Sequence, residues 1–198
     1  LGSVDVIHSF WVPKLAGKVD MVPSVENYMW FQADEPGEYF GQCAEYCGTS
    51  HANMKFKVLA VTQPEFDIWL SNQAKQAVTS SDPLALEGAA MFKTAGCTGC
   101  HSTKTIVKIG SKGRVGPNLA HVASRRQLAA GMMDNTDGHG GVVNDGYLQN
   151  NLRAWLEDPS SIKQGNIMSA QAAVYTDPNR ALTEAQVSAL VSYLTTLK

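Results

Sequence analysis

The chain has 198 residues, 44% of them apolar, with 16 basic and 18 acidic side chains and a formal net charge of −2. That length fits one or two domains with a core in each, and the near-neutral balance excludes the basic surface a nucleic-acid partner requires. No run approaches the ~18 apolar residues that span a bilayer, and the opening Leu1-Gly2-Ser3-Val4-Asp5 lacks the basic-then-apolar order of a signal peptide.

In chain order, Val4 to Val12 is rich in β-branched and aromatic residues and stops at Pro13. Because the first residue falls so close to a strand, the expectation is a chain that begins in mid-domain, with any membrane anchor and upstream strands outside it. Asn27 to Ala33 is a second strand candidate, followed by a turn at Glu35-Pro36-Gly37. Tyr39 to Gln42 leads into a cysteine-bearing loop, and Lys55 to Val61 alternates at its start like a strand. Pro64 to Leu70 reads as a short helix placing Phe66 and Trp69 beneath the sheet. Residues 71–81 are small and polar, a linker with flexible spacing as its simplest role.

The character then changes. Asp82-Pro83 supplies an N-cap and a first-turn proline for a helix reaching Gly96. Gln149 to Glu157 is a second helix, and Thr183-Glu184-Ala185-Gln186 is a capping box opening the last one, with Val187, Leu190, Val191 and Leu194 inward. The Gly-rich stretch Asp134 to Gly146 reads as a surface excursion. The expected fold class is mixed: residues 1–70 all-β, 71–81 a linker, and 82–198 all-α.

All four cysteines fall in two motifs. The first is Cys43-x3-Cys47-x3-His51-x2-Met54, with His8 available upstream. Thiolate, imidazole and thioether are the soft and borderline donors that copper prefers over magnesium or calcium. A thiolate sulfur can bridge two metals, so two cysteines can clamp two coppers with one histidine on each, leaving Met54 and a backbone carbonyl for weak axial positions. An electron shared over two metals alters each bond little, which favours fast transfer. A Cys2His2 zinc site from His8, Cys43, Cys47 and His51 is the competing reading, and a pair of disulfides is another. The second motif, Cys97-Thr98-Gly99-Cys100-His101, is a c-type haem attachment sequence. Cys97 and Cys100 would form the thioether links, with His101 as proximal ligand. Met132, Met133 and Met168 are candidates for the sixth position, with Met168 favoured because Lys163 to Ser169 is a turn-rich loop after a helix. His121 and His139 read as surface or structural residues. Lys104, Lys108, Lys112 and Arg114 crowd the segment after the haem motif, as a solvated loop or as a docking rim.

The segments Asp5 to Pro13 and Gly41 to Met54 resemble subunit II of haem-copper cytochrome c oxidases, the subunit that carries binuclear copper A in a cupredoxin-like domain. The resemblance implies that Cys43 and Cys47 bridge both coppers, that His8 and Met54 complete one, and that His51 and the Glu45 carbonyl complete the other. It also implies a Glu45 carboxylate turned toward subunit I, where it would help to hold magnesium. Ser24 and Val25 stand where the family usually has Gly and Arg, which touches a contact to subunit I and not the copper ligands. Residues 82–198 resemble a class I cytochrome c, with Gly116-Pro117-Asn118-Leu119 as its second signature. There the Pro117 carbonyl would orient His101, and Gly88 and Phe92 would cross Leu190 and Tyr193. Residues 136–146 look like an insertion into that fold.

Copper A fused to cytochrome c resembles the subunit II of caa-type oxidases. The implied function is electron relay from haem c through copper A to the oxygen-reducing subunit I, at the outer, periplasmic face of a bacterial cytoplasmic membrane. The implied partners are the other oxidase subunits and a donor, either a cytochrome c or a quinol-oxidising complex. Two rival readings are a nitric-oxide or nitrous-oxide reductase subunit, and a soluble carrier with two centres.

Overall fold

A computed structural model describes residues 1–77, 80–105, 115–136 and 141–198. The first part is a four-stranded antiparallel sheet built from β1 (His8–Trp11), β2 (Val19–Met21), β3 (Gly37–Cys43) and β4 (Lys55–Ala60), in the order β2-β1-β3-β4. Residues two apart share a face of a strand. His8 and Phe10 therefore lie on one face of β1, and Phe10 pairs with Cys43 at the end of β3. This register alone brings His8 to the cysteine loop from 35 residues away. Phe10 also stacks on Phe56, with ring centroids 4.8 Å apart, and on Phe31 at 6.2 Å.

The expected strand at Asn27 to Ala33 does not form. Its backbone joins no ladder, and Tyr28 and Trp30 stand in solvent. Instead β2 takes the edge position beside β1, and Ser9 Oγ donates to Asp20 across that pair.

The helix after the sheet, α1 (Gln63–Gln73), is longer than the sequence suggests. Glu65 accepts from the Thr62 backbone N–H at 2.9 Å, closing its first turn. Its Phe66 and Trp69 do not lie beneath the sheet. They pack on each other, rings 5.7 Å apart, and remain exposed. The following segment is also more tied down than a flexible spacer. Gln76 donates to the Thr103 carbonyl at 2.8 Å, and Thr105 Oγ1 donates to the Lys75 carbonyl at 2.7 Å.

The second part is helical. Asp82 caps α2 (Pro83–Thr94) by accepting from Leu84 and Ala85 backbone N–H groups. The chain continues through α3 (Asp145–Glu157), α4 (Pro159–Ile162), α5 (Ile167–Gln171), α6 (Ala173–Thr176) and α7 (Glu184–Thr195). Helices α2 and α7 cross in direct contact. A Cβ on Gly88 would fall 1.9 Å from the Ala189 carbonyl oxygen, so only glycine permits this approach. Phe92 meets Tyr193 edge to face at 5.7 Å beside the crossing. Around it Leu148, Leu152, Leu156, Val187, Leu190, Val191 and Leu194 form the main core.

One detail departs from an all-α reading and one from the expected helix start. A short hairpin, β5 (Gln127–Leu128) and β6 (Met133–Asp134), precedes α3. Helix α3 begins at Asp145, four residues before the expected Gln149, because Asn144 caps it by accepting from Gly146 and Tyr147. The expected surface excursion is exposed at Asp134, Val142 and Asn144 to Gly146, but it is pinned by the buried pair Asn135 and Thr136. Asn135 is fully enclosed, accepts from the Asn144 N–H at 2.8 Å and takes a further bond from Asn151.

The two parts touch at several points. Arg126 pairs with Glu38 at 2.9 Å, and Lys57 pairs with the same carboxylate at 2.7 Å. Farther along, Ser50 Oγ donates to the Gln164 carbonyl.

Candidate metal centre and haem site

The loop after β3 is folded by its own backbone. The Cys43 N–H donates to the Met54 carbonyl at 3.0 Å, Ala44 N–H to the Ser9 carbonyl, and Met54 N–H to the His51 carbonyl. A 3-10 turn, His51–Asn53, closes the loop. These bonds hold both cysteines and both histidines within reach of one another. Cys43 Sγ lies 3.8 Å from Cys47 Sγ, 3.9 Å from His8 Nδ1 and 3.2 Å from the Glu45 carbonyl oxygen. His51 Nδ1 lies 3.6 Å from Cys47 Sγ.

Each histidine thus attends a different sulfur. His8, Cys43 and Cys47 present donor atoms within 4.8 Å of one another, and His51 stands outside that set. A tetrahedral zinc would draw all four donors to mutual separations of about 3.4–3.8 Å. Two neighbouring sulfurs, each with its own imidazole, are soft and borderline donors of the kind that suit copper. No disulfide joins the pair; all four cysteines are free. The thiols also divide electrostatically. Burial pushes Cys43 up, but hydrogen bonding at the Glu45 and Ser9 backbone and at His8 outweighs it and brings the thiol down to about 6. Burial and the neighbouring Cys43 push Cys47 up to about 11. A bound metal would deprotonate both.

One partner was not legible as such in the motif. Asp5 Oδ1 lies 3.0 Å from His8 Nε2, which leaves Nδ1 turned to the cysteines. A carboxylate behind a ligating imidazole fixes its ring and raises its basicity. Despite its burial, His8 is held above its ordinary value by this carboxylate and by Cys43. The Asp-x2-His spacing is the sequence signal for the pair. The Glu45 carboxylate lies 3.6 Å from Lys18 Nζ.

In the helical part, Cys97–Gly99 forms a 3-10 turn and the His101 N–H donates to the Cys97 carbonyl at 2.9 Å. This one turn of chain places Cys97, Cys100 and His101 on a common side. His101 Nδ1–H donates to the Pro117 carbonyl at 2.8 Å, leaving Nε2 as the lone-pair nitrogen. The ring lies against Gly116, where an added Cβ would fall 2.3 Å from Cε1. Burial, joined by the Arg125 guanidinium, holds His101 below its ordinary value and so keeps it neutral, as a ligand must be. Burial raises the Cys97 thiol. A neutral, oriented imidazole with a free Nε2 beside two thiols on one turn is the donor set that fits a covalent haem.

Met168 sits on α5, not in an open loop. The buried Asn166 caps that helix, accepting from Ser169 N–H at 2.8 Å and donating to the Lys163 carbonyl at 2.7 Å. Met168 packs against the helical core together with Cys97. Met132 is partly exposed on the β5–β6 turn and Met133 lies in β6. His121 is half-buried, its Nε2 enclosed and without a hydrogen-bond partner. His139, Lys108, Lys112 and Arg114 lie outside the described residues.

Comparison with known proteins gives two matches. The periplasmic domain of cytochrome C oxidase subunit II matches residues 1–61, and cytochrome c matches residues 85–198. The chain is 39% identical to cytochrome c oxidase subunit 2 of Alkalihalophilus pseudofirmus over 199 residues, which is 100% of this chain and 50% of that protein. It is 38% identical to the Bacillus sp. protein of the same name over 98% of this chain and 51% of the relative, and 35% identical to that of Bacillus subtilis over 100% and 52%. The chain spans about half the length of these curated relatives. Among the described residues no helix is long and apolar enough to cross a membrane. With a Cys-x2-Cys-His turn behind one match and paired sulfurs behind the other, the chain belongs to the cytochrome c family over residues 85–198, and residues 1–61 match the periplasmic domain of cytochrome C oxidase subunit II.

Proposed function

We propose that this chain relays electrons within a terminal respiratory oxidase, from an external donor to an oxygen-reducing partner subunit, at the outer face of a bacterial cytoplasmic membrane. The observation that carries the reading is the pair of sulfurs 3.8 Å apart, each with its own imidazole, in one chain with a haem attachment turn. A binuclear copper and a covalent haem c would supply the one-electron carriers. Cys43 and Cys47 would bridge the metals, with His8 and His51 as terminal ligands, and Met54 and the Glu45 carbonyl would serve as weak ones. Asp5 steadies His8. Cys97 and Cys100 would anchor the porphyrin, His101 and Met168 would hold its iron, and Pro117 fixes the tautomer that His101 needs. Joining both sites in one chain replaces diffusional encounter by a high effective concentration.

The donor would be a cytochrome c or a quinol-oxidising complex, and the acceptor the oxidase subunit I. A magnesium ion held by Glu45 at that interface would require the Lys18 contact to open and further ligands from subunit I. Electron paramagnetic resonance with copper, zinc and haem quantification on the isolated complex tests the reading. Two coppers with a shared unpaired electron, and one covalent haem per chain, are the expected result. Zinc, a single copper or a disulfide between the sulfurs would refute it.

A further inference from the structure

The loop that carries Cys47 and His51 touches the loop that leads to Met168. Thr49 and Ser50 lie between the first pair, and Gln164 and Gly165 lie four and three residues before the methionine. Ser50 Oγ donates to the Gln164 carbonyl. A Cβ on Gly165 would fall 2.7 Å from Thr49 Cβ and 3.1 Å from its Cγ2. Gly165 also has φ +73°, a conformation glycine adopts freely. The candidate ligands His51 and Met168 are therefore linked across the contact by one hydrogen bond, with one residue step on the first side and four on the second.

A second contact fixes the orientation. Glu38, at the far end of β3 from Cys43, takes Arg126 and Lys57 together. At the other end of the β3–β4 ladder, where Lys55 pairs with Gln42, the β5–β6 turn lies on β4, with Gly131 placed so that a Cβ would stand 3.3 Å from Lys55 Cβ. One contact alone would leave a pivot. Two contacts at opposite ends of a strand hold the loops in register.

We propose that Lys163–Asn166 is the docking element of the haem half on the copper half, and that the seam of Thr49 and Ser50 with Gln164 and Gly165 sets the rate of electron crossing. Gly165 is a positioning residue: any side chain there holds the loops apart. The proposal rests on the relay reading and adds the place of crossing.

The test uses the full chain loaded with haem and copper. Gly165→Asn adds a side chain that tolerates positive φ, so crowding is isolated from backbone strain. Flash photoreduction of the haem, followed by the copper absorption, should show transfer slowed by about tenfold or more, as expected when a close approach is lost. Amide exchange in residues 48–51 and 163–166 should rise, while haem absorption and copper resonance stay unchanged. Thr49→Gly in that background should restore both rate and protection. Where Gly165→Asn itself alters the haem spectrum, Ser50→Ala carries the test, with faster exchange in residues 163–166 expected. Wild-type rate and protection in the variants, or no restoration by Thr49→Gly, would overturn the seam. A wild-type chain that takes up no copper or haem would instead refute the relay reading.

Discussion

The two halves of the molecule are held by different means. In the haem half eleven buried apolar side chains, from Phe92 to Leu197, form one cluster around the α2–α7 crossing. In the copper half only Ser9, Val12, Gly41 and Cys43 are buried among residues 1–61, while Trp30 is 88% and Phe40 68% exposed. One half is organised by apolar burial, the other by strand register and loop hydrogen bonds that converge on a metal-ligand set. For such a site, metal binding is itself folding energy, so the two halves should answer to different perturbations.

The largest contrast comes from the core. Leu190→Ala removes a fully enclosed side chain and should cost about 3–5 kcal/mol. Calorimetry should show the transition that carries the haem absorption moving down, with the copper resonance retained at lower temperature. Loss of both signals together would mean the halves share one cooperative unit. Next is Asp5→Ala, which removes the carboxylate behind His8. Copper affinity should fall about 10–100-fold, or roughly 1.4–2.7 kcal/mol, in a chelator competition that leaves the haem untouched.

A smaller effect tests the bridge between the halves. The Lys57 ammonium, with Arg126 in support and against the cost of burial, holds the Glu38 carboxyl below its ordinary value of 4.5. Its stabilisation is therefore complete above that value and disappears as the pH falls through the lower folded-state value. Glu38→Gln should cost about 1 kcal/mol at neutral pH. Its melting temperature should then decline less steeply than wild type between about pH 5 and pH 3. Parallel curves would assign the acid sensitivity elsewhere. The smallest effect is a gain. Ala130 has φ +58° in the turn that rests on β4, and Ala130→Gly should add about 0.5 kcal/mol by relieving that conformation. Chemical denaturation would read it.

The sequence carried local proximity better than the packing. Spacing alone marked Cys43, Cys47, His51, Cys97, Cys100 and His101, because ligands on one loop or one turn must be close whatever surrounds them. The capping signals at Asp82 and Thr183 were equally local, and both form as caps. Asn27 to Ala33 failed for the opposite reason. Its aromatic residues have strand propensity, but a strand also needs a partner, and here β2 occupies the edge of the sheet. Phe66 and Trp69 sit on a helix as expected, yet periodicity does not say what a face packs against. Met168, read from the sequence as a candidate iron ligand on a loop, lies on a helix, because Gly165 obscured a helix start capped by Asn166. The contact between Ser50 and Gln164 spans 114 residues, and no local pattern encodes it.

The capping carboxylate of α2 has a further role. Ser192 Oγ on α7 donates to Asp82 Oδ2 at 3.0 Å, so the entry to the haem half is fastened to its final helix. A module whose entry is fastened to a helix 110 residues further on is closed upon itself, and it can be joined to a neighbour at that entry with no rearrangement inside. That geometry makes the haem half a cassette, able to ride on another fold without being threaded through it.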